Sequence, residues 1–237
     1  MVNFVKHALR KVGLQVKTYP DRDQRNRLLA MNNFNINKIL DVGANTGQFV
    51  NEIRSRGFNG EIVSFEPLSS AFKILEAKSR PDKRWSVHNM AIGDTDGEIE
   101  INISENSQSS SILEMLPAHV ASAPESKYIG SERATIHKLD TIFSTYYNDG
   151  DNIMLKVDTQ GYEKNVIDGA MNSLSKIKSV KLEMSLIPLY KEEVLFVDML
   201  AYMDRIGFRL YSLENTYADP KTGQILQVDG TFYRQKS

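Results

Sequence analysis

The sequence predicts an α/β fold, a mostly parallel sheet with helices on both faces. Short apolar runs alternate with longer stretches in which apolar residues recur every three or four positions, which is typical of strands followed by helices. The 237 residues are 41% apolar and 25% charged, a globular composition with enough chain for one large core. The tail breaks the alternation, which indicates a terminal hairpin.

The elements are predicted in order from residue 36 onward. Strands are predicted at residues 37–42, 61–65, 85–88, 152–157 and 179–184. Helices are predicted at residues 46–56, 69–78, 163–175 and 192–206. In the tail, residues 208–213 and 225–233 have strand character with no helical pattern between them, so they are expected to pair antiparallel.

Residues 1–35 are predicted to form a basic helical extension, and residues 36–237 the main domain. The first twenty residues carry four cations and no acid, with apolar residues at helical spacing. They could pack on the body of the protein, be held loosely, or make peripheral contact with an anionic membrane. An insertion is predicted at about 94–150, with strands at 98–103 and 134–139 and a serine-rich segment between them.

Composition excludes several classes of function. Lysine and arginine total 29 against 30 acidic residues, so no cationic field favours nucleic acid as a partner. The absence of cysteine excludes disulfides, thiolate metal sites and cysteine nucleophiles, and agrees with a cytoplasmic location. No apolar run reaches the ~18 residues of a transmembrane span, and no secretory signal is evident.

A glycine-containing turn follows the first predicted strand, where open parallel sheets bind ligands. Its spacing matches neither the dinucleotide motif nor a phosphate-binding P-loop. Asp41, ahead of the turn, suits an ammonium or another cationic centre. Glu66, at the end of the second strand, is placed to bind the two hydroxyls of a ribose. Together they indicate a nucleoside ligand without phosphates, of which S-adenosylmethionine is the common example.

Five motifs resemble those of one enzyme family. The runs ILDVGANTGQF, VSFEPL, HNMAIGD, MLKVDTQGYEKNVIDGA and VKLEMSLIPLY occur in this order between about residues 37 and 233. They resemble the FkbM family of S-adenosylmethionine-dependent methyltransferases. The K-V-D-x-Q-G-x-E run is the most specific part, since D-V-G-A-N-x-G alone is typical of class I methyltransferases in general.

The resemblance implies a Rossmann-like sheet of seven strands with an antiparallel last strand. It also implies methyl transfer to a hydroxyl, typically on a sugar of a glycan, glycolipid or natural product. The cofactor-binding residues that it implies are Asp41, Gly43, Ala44, Asn45 and Gly47 for the methionine part, Glu66 and Pro67 for the ribose, Asn89, Met90 and Ala91 near the adenine, and Asp158 and Gln160 facing cofactor and acceptor. Gln160 stands where many family members carry a glutamate, so any role that needs a negative charge there is in doubt.

Methyl transfer from a sulfonium mainly requires positioning of the acceptor oxygen and removal of its proton. The predicted catalytic residues are Asp158, Glu183 and His137, and His119 and Glu163 are further candidates. Asp158 could instead cap the following helix, and Glu183 could meet a buried partner. His137 could equally be an edge residue with no catalytic role. A divalent metal could acidify the hydroxyl, although no recognisable ligand motif supports one, and no metal-binding residue is predicted.

Three alternatives to a saccharide O-methyltransferase stay open. The first is a noncatalytic glycan- or partner-binding module on a methyltransferase fold. The second is a nucleotide-dependent oxidoreductase, which the glycine spacing disfavours. The third is methylation of nucleic acid or protein, for which the basic surface and the Asn/Asp-Pro-Pro-Tyr/Phe motif are lacking.

Overall fold

A computed structural model describes residues 22–235 together with residues 9, 11, 13 and 14. The greater part of the predicted basic extension therefore lies outside the described residues. Seven helices of more than one turn occur in the described part: α1 Arg22–Asn33, α2 Gln48–Ser55, α3 Ser69–Ser79, α4 Pro117–Ser122, α5 Leu139–Tyr146, α6 Glu163–Asp168 and α7 Phe196–Arg205. No helix among these residues is long and apolar enough to cross a membrane.

The strands form two sheets. In chain order they are β1 Lys38–Val42, β2 Glu61–Phe65, β3 Trp85–His88, β4 Ala91–Gly93, β5 Gly97–Ser104, β6 Tyr128–Lys138, β7 Ile153–Val157, β8 Ile177–Ser185, β9 Phe208–Ala218 and β10 Ile225–Arg234. The large sheet has seven strands in the order β3-β2-β1-β7-β8-β10-β9. All neighbours from β3 to β8 are parallel, and β10 is antiparallel to both β8 and β9. The predicted fold class is confirmed.

The centre of the large sheet is buried on both faces. Every residue of β1 and β7 is buried, because helices cover both sides of a parallel sheet. Leu40 and Leu155 belong to the core on one face, and Ile39 and Met154 to the core on the other. Strand residues alternate between the two faces of the sheet. Asp41 and Lys156, two positions after Ile39 and Met154, therefore lie on the second face.

The small sheet has the order β4-β6-β5; β5 and β6 lie within the predicted insertion, and β4 lies just before it. Its strand β6 begins at Tyr128, six residues before the predicted strand, and is followed directly by α5, which was not predicted. The signal for α5 was present, since Leu139, Ile142, Phe143 and Tyr146 recur at helical spacing. The boundaries of the insertion at about 94–150 stay a prediction.

Two predicted helices are shorter than expected. The helix predicted at 163–175 ends as α6 at Asp168, and a short 3-10 helix covers Ser173–Lys176. Gly169 lies against the backbone of the small sheet, where a Cβ would come within 1.8 Å of the Gly93 carbonyl oxygen. The helix predicted at 192–206 begins only at Phe196, because the Glu193 carboxylate accepts hydrogen bonds from the amides of the preceding loop.

Candidate active site

A cavity of about 260 Å³ opens at the carboxyl ends of β1, β2, β7 and β8. This is the edge at which open α/β sheets bind ligands. Ten of the predicted site residues line it: Gly43, Ala44, Asn45, Glu66, Pro67, Met90, Ala91, Asp158, Gln160 and Glu183. Four predicted residues, Asp41, Gly47, Asn89 and His137, do not reach its wall.

The turn after β1 is pressed against the turn after β7. Gly43 has a φ of 72°, and a Cβ at this position would lie 1.8 Å from the Asp158 carbonyl oxygen. The amides of Gly43 and Ala44 both donate to the Phe65 carbonyl, at 3.1 Å each. Gly43 is therefore required by backbone contact, and the turn is tied to both neighbouring strands.

Gly47 has a packing role. It begins α2 with a φ of 83°, and a Cβ there would come within 2.7 Å of the Trp85 ring. Gly47 therefore contributes to the site indirectly, because it lets α2 begin directly over the buried Trp85 side chain.

Glu66 is the acid at the end of β2, and its carboxylate is held by two backbone amides. Oε2 accepts from the Asn45 amide at 2.7 Å, and Oε1 accepts from the Leu68 amide at 2.9 Å. Burial raises the pKa of Glu66 to about 7, although these hydrogen bonds and the charge of Lys156 act in the opposite direction. Each oxygen keeps further acceptor capacity, and the residue lines the cavity.

Asp41 lies beneath the cavity. Its side chain has no solvent exposure, and Oδ2 accepts a hydrogen bond from the Ser64 hydroxyl at 2.9 Å. Its Oδ1 lies 3.1 Å from Nζ of Lys156, the residue opposite it in register on β7. The ammonium group that the sequence predicts beside Asp41 is thus supplied within the chain by Lys156.

Lys156 is the site residue that the sequence interpretation missed. Its side chain is buried and lines the cavity. Burial alone would lower the pKa of Lys156, but the charges of Asp41 and Asp158 outweigh it and raise that pKa. The available signal was its place in the K-V-D-x-Q-G-x-E run, two residues before Asp158.

Asp158, Gln160 and Glu183 form a hydrogen-bonded group at the β7–β8 end of the cavity. The Gln160 amide Nε2 donates to Asp158 Oδ1 at 2.9 Å and to Glu183 Oε2 at 2.7 Å. Its Oε1 accepts from the Tyr190 hydroxyl at 2.8 Å, and Gln227 donates a second hydrogen bond to Glu183 at 2.9 Å. A neutral amide thus joins two carboxylates that would otherwise repel each other.

The two carboxylates differ in their surroundings. The Asp158 side chain is 39% exposed, and its Oδ2 lies 3.5 Å from Lys156 Nζ. Burial and the charge of Asp158 raise the pKa of Glu183 well above its ordinary value. Asp158 is therefore the more accessible base, and Glu183 the carboxylate more prone to hold a proton.

Glu163 supports the turn that carries Asp158 and Gln160. Its Oε1 accepts from the Thr159 amide at 2.8 Å and from the Gly161 amide at 3.3 Å. Burial raises the pKa of Glu163 to about 7. The residue does not line the cavity, so its position indicates support of the turn.

The serine-rich segment of residues 104–113 forms the outer wall of the cavity. Ser107, Gln108, Ser110 and Ser111 line it. The Ser111 hydroxyl donates to the Gln160 carbonyl oxygen at 2.7 Å, and the Asn45 side chain donates to the Ser107 hydroxyl at 3.3 Å. The segment that follows β5 thereby contributes polar side chains to the site.

His137, His119 and Asn89 lie outside the cavity wall. His137 is on β6, with Nδ1 3.3 Å from an Asp96 oxygen, so its position gives no geometric support for a role as the base. His119 is buried against the Tyr190 ring, and burial lowers its pKa to about 4. The Asn89 side chain donates to the carbonyls of Glu66 and Pro67, at 2.9 Å each, and so shapes the turn after β2.

The cavity chemistry fits a nucleoside with a cationic centre. The apolar side chains of Phe65, Leu68 and Met90 can pack against a nucleobase. The Glu66 carboxylate oxygens can accept hydrogen bonds from a ribose. Asp158 and Glu183 supply negative charge at the other end. Over the described residues, no three histidine, aspartate or glutamate side chains are grouped to hold a metal ion.

The family model of the methyltransferase FkbM domain matches residues 41–210, which include most of the cavity wall. The chain belongs to the FkbM family of S-adenosylmethionine-dependent methyltransferases. No curated protein matches the chain.

Solved structures resemble this FkbM methyltransferase at low identity. A methyltransferase FkbM from Methylobacillus flagellatus KT is 15% identical with a TM-score of 0.51, over 82% of this chain and 43% of that one. This chain therefore spans less than half of that protein. An uncharacterized protein from Listeria monocytogenes serotype 4b is 8% identical with a TM-score of 0.50, over 89% and 68% of the two chains. These two likenesses show a shared fold.

A third structure is that of 1,6-didemethyltoxoflavin-N1-methyltransferase from Burkholderia thailandensis, which holds S-adenosylhomocysteine. It is 8% identical with a TM-score of 0.49, over 99% of this chain and 87% of that one.

Proposed function

We propose that this protein transfers a methyl group from S-adenosylmethionine to a hydroxyl of a saccharide, either in a glycan or glycolipid or in a natural product. One observation carries the proposal: Glu66 and Asp158 line the same cavity from the ends of β2 and β7, on either side of β1. The first is suited to hold a ribose and the second to accept a proton. Membership of the FkbM family supports S-adenosylmethionine as the cofactor. The Asp158 carboxylate at the cavity wall supports an alcohol as the acceptor, because it can take the hydroxyl proton.

Glu66 would bind the ribose of the cofactor. Each of its oxygens accepts one backbone amide and can accept one ribose hydroxyl in addition. Met90 and Ala91, after β3, would flank the adenine, and the turn at Gly43 would hold the methionine part. In this arrangement the sulfur would face Asp158. When bound, the cofactor supplies a methyl group already activated by the sulfonium charge.

Asp158 would accept the proton of the acceptor hydroxyl. The Gln160 amide holds one of its oxygens, and the partly exposed side chain faces the cavity. Orientation of the acceptor oxygen and removal of its proton are the two tasks left to the protein, because the methyl group arrives activated. Glu183 is hydrogen-bonded to two amide side chains and is the less accessible carboxylate.

The serine-rich segment would contact the acceptor. Its hydroxyls and the exposed Gln108 offer neutral donors and acceptors of the kind that bind sugar hydroxyls. Lys156, the cation at the cavity wall, is already engaged by Asp41. These features support an uncharged acceptor.

The test is methyl transfer from S-adenosylmethionine to a panel of neutral saccharides and sugar-bearing natural products, followed by mass spectrometry. The expected result is a product heavier by one methylene group, with the Asp158→Asn variant as the inactive control. Binding of S-adenosylhomocysteine without any product across the panel would favour the noncatalytic alternative. Tight binding of NAD alone would contradict the proposal.

A further inference from the structure

Two buried lysines lie side by side in the large sheet. Lys156 on β7 and Lys181 on β8 are partners in register, and 7% and 5% of their surfaces are exposed. Each forms an ion pair with an aspartate on a neighbouring strand, Lys156 with Asp41 and Lys181 with Asp229. They differ in one respect: Lys156 lines the cavity and Lys181 does not.

The Lys156 ammonium contacts three groups that surround the turn after β1. It donates to the Gly43 carbonyl oxygen at 3.0 Å, and it lies 3.1 Å from Asp41 Oδ1 and 3.5 Å from Asp158 Oδ2. The Val42 carbonyl oxygen, 3.5 Å away, is a further acceptor at the same ammonium. One side chain therefore connects the glycine turn, the buried acid beneath it and the proposed base.

Gly43 is constrained from the other side as well. Its α-carbon faces the Asp158 carbonyl so closely that a Cβ would lie 1.8 Å from that oxygen. The left-handed conformation of Gly43, with a φ of 72°, turns its carbonyl toward Lys156. The position of the turn thus depends on the lysine and on the strand that carries it.

The place of Lys156 along the sheet edge indicates which part of the cofactor it serves. Glu66 ends β2, Gly43 follows β1, and Asp158 follows β7, which lies on the far side of β1 from β2. If Glu66 holds the ribose, the amino-acid part of the cofactor lies beyond it, at Gly43 and Asp158. Lys156 is at this end of the cavity.

We infer that Lys156 is a positioning residue for the amino-acid end of the cofactor, because it joins the Gly43 carbonyl and the Asp158 carboxylate where that end binds. The inference rests on the proposed function. It assigns Lys156 no direct contact with the acceptor. Lys181, equally buried but away from the cavity, has no such role.

The experiment compares two ligands that share a nucleoside and a sulfur atom. S-adenosylhomocysteine carries the amino-acid part, and methylthioadenosine lacks it. Calorimetric titration of both into the Lys156→Met variant is expected to show an affinity loss of about tenfold or more for S-adenosylhomocysteine. The loss for methylthioadenosine is expected to stay within about threefold.

Lys181→Met is the matched control, because it also removes a buried cation from a paired aspartate. It is expected to keep the affinity for both ligands within about threefold, even though both variants lower the melting temperature. If Lys156→Met does not fold, the Asp41→Asn/Lys156→Met double variant removes both charges of the pair and is expected to show the same change in ligand preference.

An equal loss for the two ligands, or an unchanged affinity for S-adenosylhomocysteine, would overturn the inference. Failure of the unmodified protein to bind either ligand would instead overturn the proposed function. Lys181→Met and Lys156→Met could also lose the same affinity for S-adenosylhomocysteine. That result would mean that removal of any buried cation causes the loss, and it would also overturn the inference.

Discussion

Two turns at the same sheet edge are each held by a buried glutamate. The turn after β1 is tied to the turn after β2 by Glu66, which accepts hydrogen bonds from the Asn45 amide in the first and the Leu68 amide in the second. The turn after β7 is held by Glu163, which accepts from the amides of Thr159 and Gly161. Burial raises the pKa of both glutamates to about 7.

The two glutamates differ in what else they can bind. Glu66 lines the cavity and uses both of its oxygens, one for each amide. Glu163 receives both amides at Oε1 and has no place at the cavity wall. Both glutamates hold backbone amides. Glu66 also offers its own carboxylate to a ligand, whereas Glu163 only supports the turn that carries a separate carboxylate, Asp158.

The largest effect is expected at the Asp158 turn. Asp158→Asn should lower the rate of methyl transfer by about 10²-fold or more, since the amide cannot accept the proton of the acceptor. Affinity for S-adenosylhomocysteine should fall less than turnover, because the amide keeps the shape of the wall. The measurements are turnover by mass spectrometry and calorimetry. An equal loss of turnover and of affinity would indicate that Asp158 is a cofactor ligand and not the base.

The Glu66 turn should respond in ligand binding. Glu66→Ala is expected to weaken S-adenosylhomocysteine binding by about tenfold or more, since it removes charge-assisted hydrogen bonds to the ribose. Calorimetry checks this, with Glu163→Gln as the matched variant of a buried glutamate away from the cavity. Unchanged affinity in Glu66→Ala would place the nucleoside elsewhere.

The Glu163 turn should respond in stability. Because the pKa of Glu163 is about 7 in the folded protein against an ordinary value of 4.5, the folded state binds more protons between these values. The contribution of Glu163 to the free energy of unfolding should therefore fall as pH rises from about 4.5 to about 7 and then level off, whereas His119, with its pKa lowered to about 4, acts in the opposite direction below about pH 6.5. Thermal unfolding between about pH 5 and about pH 8 measures it.

Relative to the unmodified protein, Glu163→Gln should show a weaker fall of stability with pH, since it removes one of the three buried glutamates with a raised pKa and keeps an acceptor oxygen. Glu66 and Glu183 continue to contribute. An unchanged pH dependence of stability in Glu163→Gln would contradict the raised pKa of Glu163.

The smallest effect is expected outside both turns. His137 lies on β6 against Asp96, away from the cavity wall. His137→Ala should therefore leave turnover and cofactor affinity within about twofold. A large loss of turnover with normal folding would show that the small sheet contributes a catalytic group.

Much of the fold was predictable because its signals are local. Buried parallel strands such as β1 and β7 are short, mostly apolar runs interrupted by Asp41 and Lys156, and the missing helix between β9 and β10 indicated the hairpin. Helix ends were less predictable where tertiary contacts decide them, as at Gly169 and Glu193. The signal for α5 was overlooked because it lay in a segment interpreted as an insertion.

The candidate site was predictable from the strand ends, because the parallel topology brings the carboxyl ends of the strands to one edge of the sheet. Which side chain faces the cavity depends on distant partners. Asp41 turns to Lys156, 115 positions along the chain, and Glu183 is reached by Gln160 and Gln227. Such pairings between strands leave no local pattern in the sequence.

The most direct test of the central claim is a crystal structure with S-adenosylhomocysteine. The ribose hydroxyls should lie within hydrogen-bond distance of the Glu66 carboxylate, and the sulfur should face the open space beside Asp158. A nucleoside bound elsewhere, or a cavity closed by the protein's own side chains in the complex, would contradict the account.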